Sequence, residues 1–85
     1  MKEIKYVVTD PLGIHARPAG LIVKMAAGCK SAITIDNGVK KADAKRIMAV
    51  MGMGIKQGNE ITVTVEGEDE DVAAAAVETF LKENC

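Results

Sequence analysis

Ile4, Tyr6 and Val8 alternate with Lys5, Val7 and Thr9, the period of two expected of a strand with one buried face. Asp10-Pro11-Leu12-Gly13 breaks that pattern as a loop. Pro18 reads as the first residue of a helix, because the N–H it lacks has no partner there and Arg17 before it is biased away from helical angles. From Pro18 onward Leu21, Ile22, Met25, Ala26 and Cys29 recur at helical spacing, Lys24 and Lys30 fall off the stripe, and Gly28 is the expected stop.

Ser31 to Asp36 places Ile33 and Ile35 on one strand face. Asn37-Gly38 then predicts a two-residue type I′ hairpin, both residues at positive φ, leading into a short return strand from Val39 to Asp43. Ala44 to Met51 predicts a brief helix whose Ile47, Met48, Val50 and Met51 exceed what one or two turns can bury. After a loop with Gly52, Gly54 and Gly58, alternation resumes from Glu60 to Glu66, with Ile61, Val63 and Val65 on one side and Thr62 and Thr64 on the other. Glu68, Asp69, Glu70 and Asp71 suit the positive end of a helix dipole and include a plausible N-cap. Val72, Ala73, Ala76, Val77, Phe80 and Leu81 line the helix that follows, ending near Asn84.

The resulting order is β-α-β-β-α-β-α. Four strands that each hide one face are most simply satisfied by an α+β fold, an antiparallel sheet with every helix on one side and the other face left to water. Eighty-five residues suffice for one domain, residues 1–85, with one small core. With aromatics at 2% against a hydrophobic share of 48%, that core must be built from Val, Ile, Ala, Leu and Met. The same scarcity of rings, with a net charge of −1, opposes nucleic-acid binding. No apolar run approaches the roughly 18 to 20 residues of a membrane span, and the N-terminus lacks the apolar centre of a signal peptide, so a cytoplasmic protein is expected. The two cysteines have no partner at metal-site or redox-motif spacing. A Cys29–Cys85 disulfide is the alternative to the expected arrangement, a buried Cys29 packed as a small hydrophobe.

Chemistry concentrates in Gly13-Ile14-His15-Ala16-Arg17-Pro18-Ala19, between the first strand and the first helix. Unpaired N–H groups at a helix start, with the aligned peptide dipoles, favour an anion. Arg17 adds a planar fork that matches phosphate oxygens, and the only histidine, His15, offers a nucleophile that is partly unprotonated near neutral pH. One reading is that His15 accepts and passes on a phosphoryl group. The other is an exposed loop histidine beside an ordinary surface arginine. With one histidine and no cysteine nearby, a zinc or copper site lacks ligands, and no metal is expected.

This heptapeptide, followed by Ile47-Met48-Ala49-Val50-Met51, Gly54-Ile55, Gly58 and Glu66-Gly67-Glu68-Asp69-Glu70, resembles the HPr family, the histidine-containing phosphocarriers of the bacterial phosphoenolpyruvate-dependent sugar phosphotransferase system. The resemblance runs along essentially the whole chain. It implies an open-faced β-sandwich of four antiparallel strands and three helices. It further implies a carrier rather than an enzyme, phosphorylated on Nδ1 of His15 by enzyme I and giving the group to enzyme IIA domains. Arg17 is expected to neutralise the phosphate, with backbone N–H groups near Ala16 and Arg17 helping to hold it, Pro18 completing the phosphate-binding segment, and no metal or nucleotide cofactor. A monomer is expected.

The resemblance also gives the short second helix a role in docking. Met48 and Met51 are expected on the partner surface, since Met packs against varied shapes, whereas Ile47 and Val50 fit that surface and the core equally well. Gly20, Lys24 and Gly54 are expected to rim the same face. Arg46 stands where many Gram-positive members carry a regulatory serine, and a guanidinium can neither accept a phosphoryl group nor mimic phosphoserine. With Arg17, Lys24 and Lys45 it is expected to form a basic cluster about His15 that balances the acidic start of the last helix and steers an acidic partner. The alternative is a divergent regulatory binding module on the same scaffold.

Overall fold

Ile4 and Tyr6, Ile61, Val63 and Val65, and Ile33 and Ile35 fall on one face of a four-stranded sheet, so covering that face is what organises the chain. The computed structural model describes residues 1–14 and 16–85. Its elements are β1 (Lys2–Val7), α1 (Ala16–Ala27), β2 (Ala32–Asp36), β3 (Lys41–Asp43), α2 (Ile47–Met51), β4 (Glu60–Glu66) and α3 (Glu70–Asn84), in the order that the pattern predicts. The sheet runs β1-β4-β2-β3 with every pair antiparallel, and the three helices pack on one side as an open-faced β-sandwich. Ile4 pairs with Val63, Tyr6 with Ile61, Ile33 with Val65 and Ile35 with both Val63 and Ala42, which aligns the apolar set in register. Slipping any strand by one residue would turn its apolar set outward. Glu3, Lys5, Thr34, Thr62 and Thr64 occupy the opposite, uncovered face.

The helices meet the sheet through small side chains. Ala19, Ile22 and Ala26 of α1, Val50 of α2, and Ala73, Val77 and Leu81 of α3 are buried, with Tyr6 and Phe80 only partly so. Alanine at the contact lets a helix axis approach the sheet closely, which suits a core with almost no rings. The α3 contacts fall at i, i+4 and i+8, a narrower stripe than the sequence suggests; Val72 and Ala76 are exposed.

Several local expectations are corrected. Pro18 is the third residue of α1, because a missing N–H is harmless anywhere in a first turn. Gly28 does stop α1, as expected, but without a positive φ: Gly28 and Cys29 donate to the Met25 and Ala26 carbonyls (3.1 and 3.0 Å), tightening the last turn. Asp36 pairs with Lys41, so the hairpin loop has four residues, and Asn37 keeps a negative φ while Gly38 sits at +90°. The Asp36 carboxylate accepts from Gly38 N–H (2.7 Å) and the Asn37 amide from Val39 and Lys40 N–H (2.9 and 2.7 Å), side-chain turns that displace the type I′ geometry. The return strand is therefore Lys41–Asp43, and α2 is shortened to five residues. Both cysteines are free; Cys85 is the buried one, its thiol pushed up to about 11 by burial and then by the charge of Asp10, while Cys29 is half-buried.

Asp69 occupies the N-cap position of α3 without capping it. Its carboxylate turns to the α1–β2 connection, accepting from Lys30 N–H and Ser31 N–H (2.9 Å each) and from the Ser31 hydroxyl. Gly67, at φ +153°, passes so close that a Cβ there would lie 2.7 Å from Ser31 Cα. The Ser31 hydroxyl, followed by the Lys30 N–H, holds the Asp69 carboxyl below its ordinary 3.8. An acid with a lowered folded pKa binds protons more weakly folded than unfolded, so its contribution is complete above 3.8 and disappears as pH falls through the folded value. Asp69→Asn is expected to unfold at lower urea than the wild type at neutral pH, with the gap closing on acidification below 3.8. A gap indifferent to pH would show that the charge is not what holds the two segments together.

Candidate functional site

The site is built where β1 leads into α1. Asp10 opens a turn, its carboxylate accepting from Leu12 N–H (2.8 Å) and its carbonyl from Gly13 N–H (2.9 Å). Gly13 takes φ +67° against the backbone of the loop between α2 and β4; a Cβ there would lie 2.7 Å from Lys56 Cα and closer still to the Ile55 carbonyl. Buried Ile14 then donates its N–H to that carbonyl (3.1 Å). Further back, Val8 N–H donates to Asn59 O (3.0 Å), Gly58 N–H to Val8 O (2.8 Å) and Gln57 Nε2 to Thr9 O (3.1 Å). The Cys85 backbone oxygen accepts from Thr9 and Asp10 N–H (2.7 and 2.9 Å), adding the end of α3 as a second support. The segment entering residue 15 is thus fixed on two sides.

His15 itself lies outside the described residues. Ala16 and Arg17 follow in the exposed first turn of α1, where N–H groups have no intrahelical acceptor, and Pro18 turns its ring into the core. Arg17 shares a shallow depression of about 270 Å³ with Asp10, Pro18, Leu21, Glu83 and Asn84. Among the described residues, Arg17, Lys24 and Arg46 enter none of the ion pairs.

α2 lies alongside the middle of α1, for a methyl group on Gly20 would sit 3.9 Å from Ile47 Cδ1. Val50 is buried against the core, while Ile47, Met48 and Met51 remain 41%, 79% and 43% exposed. A five-residue helix has only one side to bury, so the other three apolar chains stay outside. Leu21, expected on the buried stripe of α1, is 38% exposed. The signal was legible: Leu21 stands four residues from Arg17 and three from Lys24, on their helix face rather than that of Ala19, Ile22 and Ala26. Gly54, exposed at φ +63°, closes the loop after α2 with its N–H on Met51 O (3.4 Å).

The basic residues form a strip and not a cluster. Lys45 Nζ donates to Cys29 O (3.2 Å), just beyond the C-terminal end of α1. A twelve-residue helix is about 18 Å long, which separates that ammonium from the first turn. The last carbonyls of a helix attract cations, and this is the physical reason that Lys45 sits there. Lys24 belongs to the last turn as well, leaving Arg17 at the N-terminal end.

A family profile described as the PTS HPr component phosphorylation site matches residues 2–83. The phosphocarrier protein HPr of Lysinibacillus sphaericus is 49% identical over 83 residues, 98% of this chain and 94% of that one. A solved Mycoplasma histidine-containing phosphocarrier protein superposes with a TM-score of 0.93 at 39% identity, covering 96% of this chain and 93% of the other. The Bacillus subtilis catabolite repression protein Crh, solved as a swapped dimer, superposes at 0.77 with 34% identity, covering 98% and 95%.

Arg46 holds the N-cap backbone conformation of α2 (φ −119°, ψ 107°) without a side-chain cap, because a guanidinium has no acceptor. Arg46→Asn supplies one and is expected to stabilise the protein by about 1 kcal/mol, raising the melting temperature by about 4–8 °C in a domain of this size. Gly13→Ala is expected to lower stability by about 1–3 kcal/mol from its φ alone, with the clash against the α2–β4 loop adding to that. Thermal melts of the two variants check both signs.

Proposed function

This chain belongs to the HPr family, and we propose that it takes a phosphoryl group on His15 from phosphorylated enzyme I and delivers it to enzyme IIA domains. It is a phosphocarrier of the phosphotransferase system rather than an enzyme. The observation that carries the finer reading is the juxtaposition of the α1 first turn, with exposed Arg17, and the uncovered apolar side of α2. One end offers phosphate contacts and the other offers a surface for a partner that holds the second half of the reaction.

In the reading proposed here, the unprotonated Nδ1 of His15 attacks the phosphorus held by the donor's histidine. The new N–P bond forms as the old one breaks, and the bonding electrons return to the donor imidazole. Arg17 and the N–H groups of Ala16 and Arg17, with Pro18 fixing the turn, stabilise charge on the three equatorial oxygens; positioning and charge are most of what phosphoryl transfer asks of a protein. The same steps in reverse pass the group to the acceptor. Gly20, Lys24, Arg46, Ile47, Met48, Met51 and Gly54 form the docking face, with Leu21 added by its exposure. Met48, the most exposed of the α2 side chains, suits successive partners of different shape.

The protein acts as a single-domain monomer in the cytoplasm on this reading; no helix among the described residues is long and apolar enough to cross a membrane. The regulatory alternative has less behind it, since the family profile and the Lysinibacillus sphaericus relative are those of phosphocarriers, and the solved Mycoplasma phosphocarrier superposes better than Crh, at 0.93 against 0.77. Arg46 offers no hydroxyl for a regulatory kinase.

Incubation with phosphoenolpyruvate and enzyme I is expected to add one acid-labile phosphoryl group, and His15→Ala to abolish it. Arg17→Ala is expected to slow transfer about tenfold or more, the equivalent of one charge-assisted hydrogen bond. Met48→Ala is expected to raise the half-saturating concentration while leaving the maximal rate in place. Absence of any mass gain with a competent enzyme I would sink the reading.

A further inference from the structure

Asn37 lies in the β2–β3 loop, outside both α1 and α2, yet its amide joins two parts of the molecule. Oδ1 accepts from Val39 and Lys40 N–H (2.9 and 2.7 Å), closing its own loop, while Nδ2 donates across to the Met53 carbonyl (3.3 Å). A carboxamide carries its acceptor and its donor on separate atoms, so one side chain can bond in both directions at once.

Met53 begins the stretch from 53 to 59 on which the entry to residue 15 rests. That stretch has no strand or helix hydrogen-bond ladder of its own, so discrete bonds, together with the burial of Met53 and Ile55 in the core, decide where it lies. At one end Asn37 holds Met53; next come the Ile55 carbonyl that receives Ile14 N–H and the surface that Gly13 packs against; at the other end Gly58 and Asn59 pair with Val8. Met53 O and Ile55 O are two residues apart on one loop, so a shift of the first is carried to the support of Ile14. The same loop continues directly from α2 and its exposed apolar side chains.

We propose that Asn37 is a positioning residue for phosphoryl transfer: its amide nitrogen, by holding the Met53 carbonyl, fixes the loop that supports the Gly13–Ile14 backbone before His15. The inference rests on His15 as the phosphoryl-accepting residue. It acts through geometry, to which in-line transfer is sensitive, since displacement of a reacting group by about 1 Å can cost up to about a hundredfold.

Two substitutions separate the halves of the amide. Asn37→Asp keeps the shape and the Oδ1 acceptor but replaces the donor by a charged oxygen that faces the Met53 carbonyl; Asn37→Ala loses both groups and introduces no charge, so an effect shared by the two variants belongs to the lost donor. Phosphorylation by phosphoenolpyruvate and enzyme I is followed at saturating and subsaturating carrier, beside amide NMR shifts of Ile14, Val39, Lys40 and Gly54. The expected result is a maximal rate lowered about fivefold in both variants, the equivalent of one neutral hydrogen bond, with the half-saturating concentration unchanged. In both variants the shifts of Ile14 and Gly54 move, while the Val39 and Lys40 amides stay hydrogen-bonded in Asn37→Asp and lose that bond in Asn37→Ala. Wild-type rates in Asn37→Asp, or a raised half-saturating concentration at an unchanged maximal rate, overturn the proposal. A wild-type protein that gains no phosphoryl group on His15 is a different failure, seen before any variant is compared, and removes the reading of the site as well.

Discussion

One apolar face on a four-stranded sheet has to be covered, and there are only three helices to cover it. The strands contribute Ile4, Tyr6, Ile33, Ile35, Ala42, Ile61, Val63 and Val65 in register, and the cover supplies mostly alanine, valine and leucine. α1 and α3 contribute Ala19, Ile22, Ala26, Ala73, Val77 and Leu81 to the core that covers it. α2, with five residues, has only Val50 to add, so Ile47, Met48 and Met51 are left outside. The docking surface proposed above is the remainder of a packing problem, placed on the short helix because the long ones already cover the sheet.

The same constraint sets the backbone around residue 15. A chain leaving β1 must cross from the sheet to the helix layer, and its polar backbone groups need partners on the way. The α2–β4 loop provides most of them, through Asn59, Gly58 and Ile55, and the Cys85 oxygen provides the rest. Gly13 makes room for that contact. On the function proposed above, a loop so held gives the first turn of α1 the fixed base that phosphoryl transfer asks for.

Charge follows backbone termini more than it follows a shared centre. Lys45 is drawn to the carbonyl end of α1, and Asp69 turns from its own helix to the three donors offered by Lys30 and Ser31. Arg17 and Arg46 have no ion pair among the described residues. At position 46 the chain carries charge where a polar side chain would cap α2.

Element order and sheet type were legible in the sequence, and the Gly13–Ala19 motif could be singled out there as the candidate site, because alternation of period two, helical spacing and the company kept by a histidine are local properties. Ile61, Val63 and Val65 announce their face with no knowledge of what covers it. The burial of Cys85 in place of Cys29, the exposure of Leu21 and Val72, and the place of Lys45 were decided by the tertiary structure, whereas the hairpin at Asn37 was decided within its own loop by the Asp36 and Asn37 side-chain turns. The former depend on competitors distant in the chain: the β1–α1 loop for Cys85, the limited width of the sheet for Leu21 and Val72, the end of α1 for Lys45. Spacing along the chain specifies which side chains share a face, but only packing decides which of them find a partner and which remain for another protein to cover.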